Sequence, residues 1–213
     1  MKWFKTPANF LNYNSLDLKN NKKHIFIACM PKSGSTFLSN TLTDITEFKN
    51  VNFRLKPLDN LIEQEVYLPA LHHFIHQNTI TQQHTRGSKT NFELLKRAGT
   101  YILVQVRNIF DVVVSTYDHS ENSTKSGSTM AYGNDQYFSL TKEQKLNLIV
   151  DYVVPWHIHF YVSWYDLSQK EHYDRLKWIC YEDFGENEVY VLKDILDFCN
   201  IDIAVEEIDR SIE

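Results

Sequence analysis

At 213 residues, 43% of them hydrophobic, the chain is long enough to bury one α/β core and too short for two comfortable ones, so a single domain over 1–213 is expected. A formal net charge of −5 argues against a general nucleic-acid binder, whose basic footprint would dominate the balance, so any anion has to be met locally. No apolar run reaches membrane-spanning length, no signal-peptide core opens the chain, and Cys29, Cys180 and Cys199 form no CxxC pair, so buried reduced thiols in a soluble cytoplasmic protein are expected, with no membrane partner.

Residues 1–23, rich in Asn and Lys with scattered aromatics, read as a surface arm whose Trp3, Phe4 and Phe10 tuck against the domain. Ile25 to Met30 is a short apolar run bounded by Pro31 and Gly34, the pattern of a buried strand. The turn that follows, PKSGST, leads into a helix with apolar positions Phe37, Leu38, Leu42 and Ile45, ending near Phe48. Gly34 lets a ligand approach the backbone, Ser35 or Thr36 suits the N-cap, and Lys32 adds a full charge where unpaired N–H groups converge. Such a turn cradles a phosphate or sulfate; the bland alternative is an ordinary strand-turn-helix with a solvated lysine. It is not a Walker loop, because Lys32 precedes Gly34 instead of following it.

Val51 to Leu55 reads as a short edge strand, and Leu58 to His76 has helical spacing interrupted by Pro69. His72, His73 and His76 lack an HExxH arrangement and a carboxylate partner, so they are read as a solvated or packed cluster and no metal site is assigned. Thr79 to Gln83 alternates β-branched and polar residues, giving a strand that ends at His84. Ligands gather beyond the carboxyl ends of parallel strands, and a histidine there can serve as general base; among nine histidines it can equally be a surface loop residue.

Thr90 to Ala98 is expected as a helix closed by Gly99, and Tyr101 to Val106 as a central parallel strand. In the RNIFDVVVS stretch after it, Asn108 can cap a helix and Asp111 can reach back in a capping-box arrangement. Arg107 at the strand end can fork two donors onto a phosphate, and Ser115 can add a hydroxyl; otherwise they are a salt-bridged arginine and a helix serine. Residues 118–140 read as a flexible polar loop, either plain surface or a lid. A helix from Thr141 is broken at Pro155, Trp156, Phe160 and Trp164 are core at helical spacing, Leu176 to Tyr181 is a buried strand, and Val189 to Cys199 and Val205 to Ile212 are closing helices.

The PKSGSTF turn and the later Arg-Asn-x-x-Asp-x-x-x-Ser pattern together resemble the PAPS-dependent sulfotransferase family, over roughly His24 to Cys199. The resemblance implies an α/β fold of three layers, with a central parallel β-sheet flanked by helices and a P-loop-like strand-turn-helix. It implies transfer of a sulfuryl group from 3'-phosphoadenosine 5'-phosphosulfate (PAPS) to a hydroxyl or amine of a small-molecule or carbohydrate acceptor, leaving PAP, without a metal. Lys32, Ser33, Gly34, Ser35 and Thr36 would hold the 5'-phosphosulfate, Phe37 and Tyr181 would lie near the adenine, and Arg107 and Ser115 would hold the 3'-phosphate. His84 would be the base and Lys32 would neutralise the bridging oxygen. His84 matches the family's Lys-x-His-Leu-Pro pattern, while Gln82, Thr85 and Arg86 depart from it. Trp156 and His159 fit the spacing of a Trp-x-x-His segment lining the acceptor cleft. Sulfotransferases of this kind continue into a basic, glycine-containing loop that completes the 3'-phosphate site, which the sequence to Glu213 does not contain. A non-catalytic PAP-binding module and a divergent P-loop kinase are the alternatives.

Overall fold

The computed structural model describes residues 18, 20–54, 63–122 and 135–212. In chain order these form β1 (His24–Cys29), α1 (Ser35–Thr46), β2 (Lys49–Asn50), α2 (Leu68–Phe74), β3 (Thr79–Gln83), α3 (Lys89–Arg97), β4 (Tyr101–Val106), α4 (Ile109–Asn122), α5 (Asp135–Phe138), α6 (Lys142–Tyr152), α7 (Val154–Lys170), β5 (Leu176–Cys180), α8 (Tyr181–Phe198) and α9 (Val205–Arg210). The strands make one five-stranded sheet in the order β2-β3-β1-β4-β5, and every pairing is parallel.

The three layers follow from the period-2 alternation of the central strands. All six residues of β1 are buried. Phe26 and Ala28 join Ile102 and Val104 of β4 on one face, under α2, α3 and α7. Ile25, Ile27 and Cys29 join Tyr101 and Leu103 on the other, under α1, α8 and α9. A strand buried on both faces reads as a continuous apolar run, which is why β1 and β4 were legible without alternation. Both side-chain sets are removed from water, each large residue contributing about 1.5–3 kcal/mol.

Several expected elements shift. The edge strand expected over Val51 to Leu55 lies earlier, at Lys49–Asn50, paired with Thr79 and Ile80. Val51 N–H still donates to Ile80 O at 2.9 Å, but Phe53 N–H goes to the Gln83 side chain at 2.6 Å, so a side chain replaces the ladder there. Of the long helix expected over Leu58 to His76, residues 58–62 lie outside the described residues, and α2 starts only at Leu68, with Pro69 in its first turn and Tyr67 still extended.

The loop expected over 118–140 is partly helical: α4 runs on to Asn122, and α5 forms over Asp135–Phe138, with 123–134 outside the described residues. Ser120 is buried and donates to Thr116 O one turn back, and Lys145 of α6 pairs with Glu121 at 2.9 Å, so the start of the stretch expected as a loop is tied into helical packing. Of the expected arm, 1–17 and 19 lie outside the described residues. Leu18 is buried in the core, and Lys23 Nζ donates to Cys199 O and Asn200 O, tying this stretch to the domain.

The break at Pro155 is as expected: Thr141 and Gln144 form a capping box on α6, and α7 restarts with the proline in its first turn. Phe160 and Trp164 are wholly buried. α8 begins at Tyr181, earlier than expected, and is interrupted at Asn187 (φ −159°, ψ 91°). Cys29 and Cys199 are buried, whereas Cys180 is exposed at the end of β5. No helix among the described residues is long and apolar enough to cross a membrane.

Candidate active site

The turn after β1 is a preformed cradle. Ser33 is wholly buried, and both its N–H and its hydroxyl bond back to Met30 O, at 3.3 and 2.7 Å. Lys32 (φ 65°) and Gly34 (φ 78°) are both left-handed. Gly34 is required twice over, since a Cβ there would lie 2.5 Å from Tyr181 Cε2. The loop is pinned from below by Gln105 of β4, whose Nε2 donates to Ser33 O at 2.9 Å and whose carbonyl accepts from Met30 N. From the side, His157 Nε2 lies 3.1 Å from Pro31 O and Nδ1 lies 2.8 Å from Val153 O.

No side chain caps α1, whose first turn follows directly on Gly34, so the unpaired donors of that turn are available to an anion. Ser35 is buried and its hydroxyl accepts from Gln82 Nε2 at 3.1 Å. Thr36 and Phe37 are exposed, with Phe37 edge-on to Phe184 at 6.1 Å.

Arg107 closes the cradle from β4. Its Nη1 donates to Lys32 O at 3.0 Å, and its guanidinium lies over the Tyr181 ring at 4.1 Å. Its Nε is buried without a hydrogen-bond partner among the described residues. Leaving such a donor unmade costs about 1–3 kcal/mol, so the arrangement fits a bound anion. Asn108 caps α4 as expected, its Oδ1 accepting from Phe110 N at 2.9 Å. Its own N–H, however, goes to Glu182 Oε1 at 2.8 Å, so Glu182 of α8 takes the place expected for Asp111, which is exposed.

Ser115 is half-buried two turns along α4 from Asn108, on the same helix face. One turn further, partial burial and, after it, the nearby Lys32 ammonium lower the pKa of His119. Burial and the Arg107 guanidinium in turn lower that of Lys32. Nothing in the sequence pattern singled out His119.

His84 lies at the same edge of the sheet. β1 and β3 pair with Ala28 opposite Gln83, so the next residues, Cys29 and His84, meet just past the ladder. His84 Nδ1 is 3.1 Å from Cys29 O and 3.3 Å from Cys29 Sγ. A carbonyl only accepts, so Nδ1 carries the hydrogen and Nε2 is left with a lone pair, the tautomer a proton acceptor needs. Burial alone would lower the His84 pKa, but the sulfur beside it raises it overall, while the imidazole lowers that of the Cys29 thiol. The His84 backbone is fixed in both directions by Gln64, whose Oε1 accepts from His84 N and whose N–H donates to His84 O, each at 3.0 Å.

Trp156 stands edge-on to His84 at 6.5 Å and donates from Nε1 to Glu63 Oε2 at 2.9 Å; Glu63 also pairs with Arg86 at 2.6 Å. Glu63, His157 and Cys29 are functional candidates that sequence spacing did not reveal. His159, paired with Trp156 by spacing, instead faces an open cavity of about 360 Å³ lined by Glu65, Arg86, Ser88 and Asp166. His72, His73 and His76 are exposed on and beyond α2, away from these residues.

The sulfotransferase domain family matches residues 22–213. Among solved structures, the mouse sulfotransferase SULT7A1 complexed with PAP aligns with a TM-score of 0.63 at 18% identity, over 93% of this chain and 65% of that one. A retinol dehydratase in complex with androsterone and the inactive cofactor PAP aligns at 0.58 and 14% identity, over 88% of this chain and 62% of that one. A sugar kinase from a Janibacter species aligns at 0.51 and 11% identity, over 86% and 98% of the two chains. At such identities the likeness is one of fold. The chain spans 65% and 62% of the length of the first two structures. No curated protein sequence matches it.

Proposed function

The chain belongs to the sulfotransferase family, and on that footing we propose that it transfers a sulfuryl group from PAPS to a hydroxyl, or an amine, of a small-molecule or carbohydrate acceptor. Bound PAPS would supply the sulfuryl group and an anionic leaving group. Lys32, Ser33, Gly34, Ser35 and Thr36 hold its 5' end through the cradle and the start of α1, with Ser33 acting through its backbone. Arg107 and Ser115 hold the 3'-phosphate, and Phe37 and Tyr181 flank the adenine.

His84 Nε2 accepts the proton of the acceptor hydroxyl as its oxygen bonds to sulfur, and Lys32 neutralises the oxygen that parts from sulfur. The androsterone in the related retinol dehydratase structure makes small hydroxyl acceptors the first to try. The observation that carries the proposal is the buried Nε of Arg107, which has no hydrogen-bond partner among the described residues, on the side chain whose Nη1 donates to the Lys32 carbonyl.

Calorimetric titration of PAP into the intact chain, without metal, tests it: binding is expected, and Arg107→Ala should lose it. PAP release from PAPS in the presence of an acceptor panel then tests transfer. A second reading, a non-catalytic PAP-binding module, is favoured by Gln82, a neutral amide turned to Ser35 where the resemblance calls for a lysine. PAP binding with PAPS left intact across the panel would decide for it.

A further inference from the structure

We propose that Cys29 is a positioning residue for His84: its carbonyl and its sulfur together hold the proton on Nδ1, leave Nε2 as the proton acceptor, and stabilise the imidazolium formed when a proton arrives there. The proposal rests on the reading of His84 as the base.

The parallel register puts the two residues side by side just past the last pair of the β1–β3 ladder. The contacts of the sulfur define its state. The thiol hydrogen has an acceptor in Gln83 O at 3.5 Å, while Gln82 Nε2 donates to Sγ at 3.3 Å. With its hydrogen directed to one side and an amide donor on another, the sulfur meets His84 Nδ1–H, at 3.3 Å, as an acceptor. Cys29 is 0% exposed, which rules out a thiol that reacts with solvent species and leaves its effect on the imidazole as the role to explain.

In the transfer step the acceptor O–H bond breaks as Nε2–H forms, no proton leaves Nδ1, and the ring becomes positive. That charge faces the Cys29 carbonyl and a thiol that the imidazolium makes more acidic, so each of the two groups favours the charged form of the other. Among the described residues, the other charged or titratable groups that act with the imidazole are Arg54, which opposes its protonation, and His157, whose own protonation His84 opposes. Among the described residues that act on the ring, Cys29 is the one that favours the imidazolium.

The carbonyl and sulfur contributions are separable. Cys29→Ala keeps the carbonyl and removes the sulfur; Cys29→Ser keeps a short polar acceptor that does not ionise. The test is nitrogen-detected NMR of the histidine rings in the intact chain across pH, with His84→Ala assigning the signal and circular dichroism confirming the fold of each variant. The wild type is expected in the Nδ1–H tautomer with a His84 midpoint above the ordinary 6.5. Cys29→Ala should keep that tautomer while its midpoint falls by about one unit, roughly a tenfold change in proton affinity, and Cys29→Ser should fall between.

A folded Cys29→Ala or Cys29→Ser variant whose His84 titrates as in the wild type would overturn the proposal, as would an Nε2–H tautomer in the wild type. The base assignment fails separately, through full turnover in His84→Ala.

Discussion

The guanidinium of Arg107 lies over the ring of Tyr181, 4.1 Å from its centroid, and the same ring covers Gly34. One side chain from the end of β5 thus braces both halves of the proposed nucleotide site. Tyr181→Phe keeps that face and should change PAP affinity little. Tyr181→Ala removes a cation–π contact of about 0.5–2 kcal/mol and should weaken PAP binding about 2- to 30-fold by calorimetry. Equal binding by the two variants would mean that Tyr181 does not brace Arg107 in the bound state.

Gly34→Ala tests the cradle itself. The substitution puts a Cβ at a φ of 78° and within 2.5 Å of the Tyr181 ring. The left-handed conformation costs about 1–2 kcal/mol and the clash about 1–3 kcal/mol unless the ring moves. A lower denaturant midpoint and loss of PAP binding are expected. The double variant Gly34→Ala with Tyr181→Ala should regain the steric part of the stability and not the conformational part.

His84→Ala should lower turnover about 100- to 10,000-fold while leaving PAP affinity near the wild-type value, the signature of a group that acts on the reacting proton. The sign of the pH dependence follows from the raised pKa of His84. The base works when neutral, so turnover falls as pH drops through a value above the ordinary 6.5, and the variant should lack that limb. Steady-state rates across pH on the first acceptor found would check it.

The elements that the sequence predicted well are those whose pattern is local: the apolar runs of β1 and β4, the alternation of β3 and the proline break before α7. The elements misplaced were those decided by distant partners. Phe53 is drawn off the ladder by Gln83, and α4 outlasts its polar sequence with Ser120 buried and Glu121 paired to Lys145 of α6. The same division holds at the site. PKSGST and the Arg107 to Ser115 spacing are contiguous motifs and could be read directly. The Cys29–His84 pair depends on the β1–β3 register, and the contacts of His157 with Pro31 and of Glu182 with Asn108 join segments 126 and 74 residues apart, which no local pattern encodes.

Two buried histidines make stability depend on acid. Burial lowers the pKa of His157, and likewise of His24, whose Nδ1 lies 2.8 Å from Thr79 Oγ1. A histidine depressed in the folded state is protonated first in the unfolded chain, so its stabilisation is present above the unfolded value near 6.5 and is lost as pH falls through the folded value. His84, raised, acts in the opposite direction: its contribution is present below 6.5 and is lost as pH rises through its folded value. His157→Gln should therefore lower the urea midpoint near pH 7.5 but reduce the further loss between about pH 7.5 and about pH 5.5. An unchanged slope would mean that His157 does not resist protonation in the folded chain.

Glu182 and Asp111 offer a direct contest for the start of α4. Glu182 Oε1 accepts the Asn108 N–H at 2.8 Å, next to Arg107, whereas Asp111 is exposed. A carboxylate on an otherwise unpaired N–H at a helix N-terminus is worth about 0.5–2 kcal/mol. Asp111 still lies in the first turn, where its charge alone contributes about 0.3–1 kcal/mol. Glu182→Ala should thus destabilise the chain more than Asp111→Ala in urea unfolding, and should also weaken PAP binding, because it frees the backbone that carries Arg107. Glu182→Gln should recover most of the stability, since the amide oxygen still accepts. The reverse order, with Asp111→Ala the more damaging, would restore the capping box that the local sequence suggests and would remove the tie between α8 and the Arg107 segment.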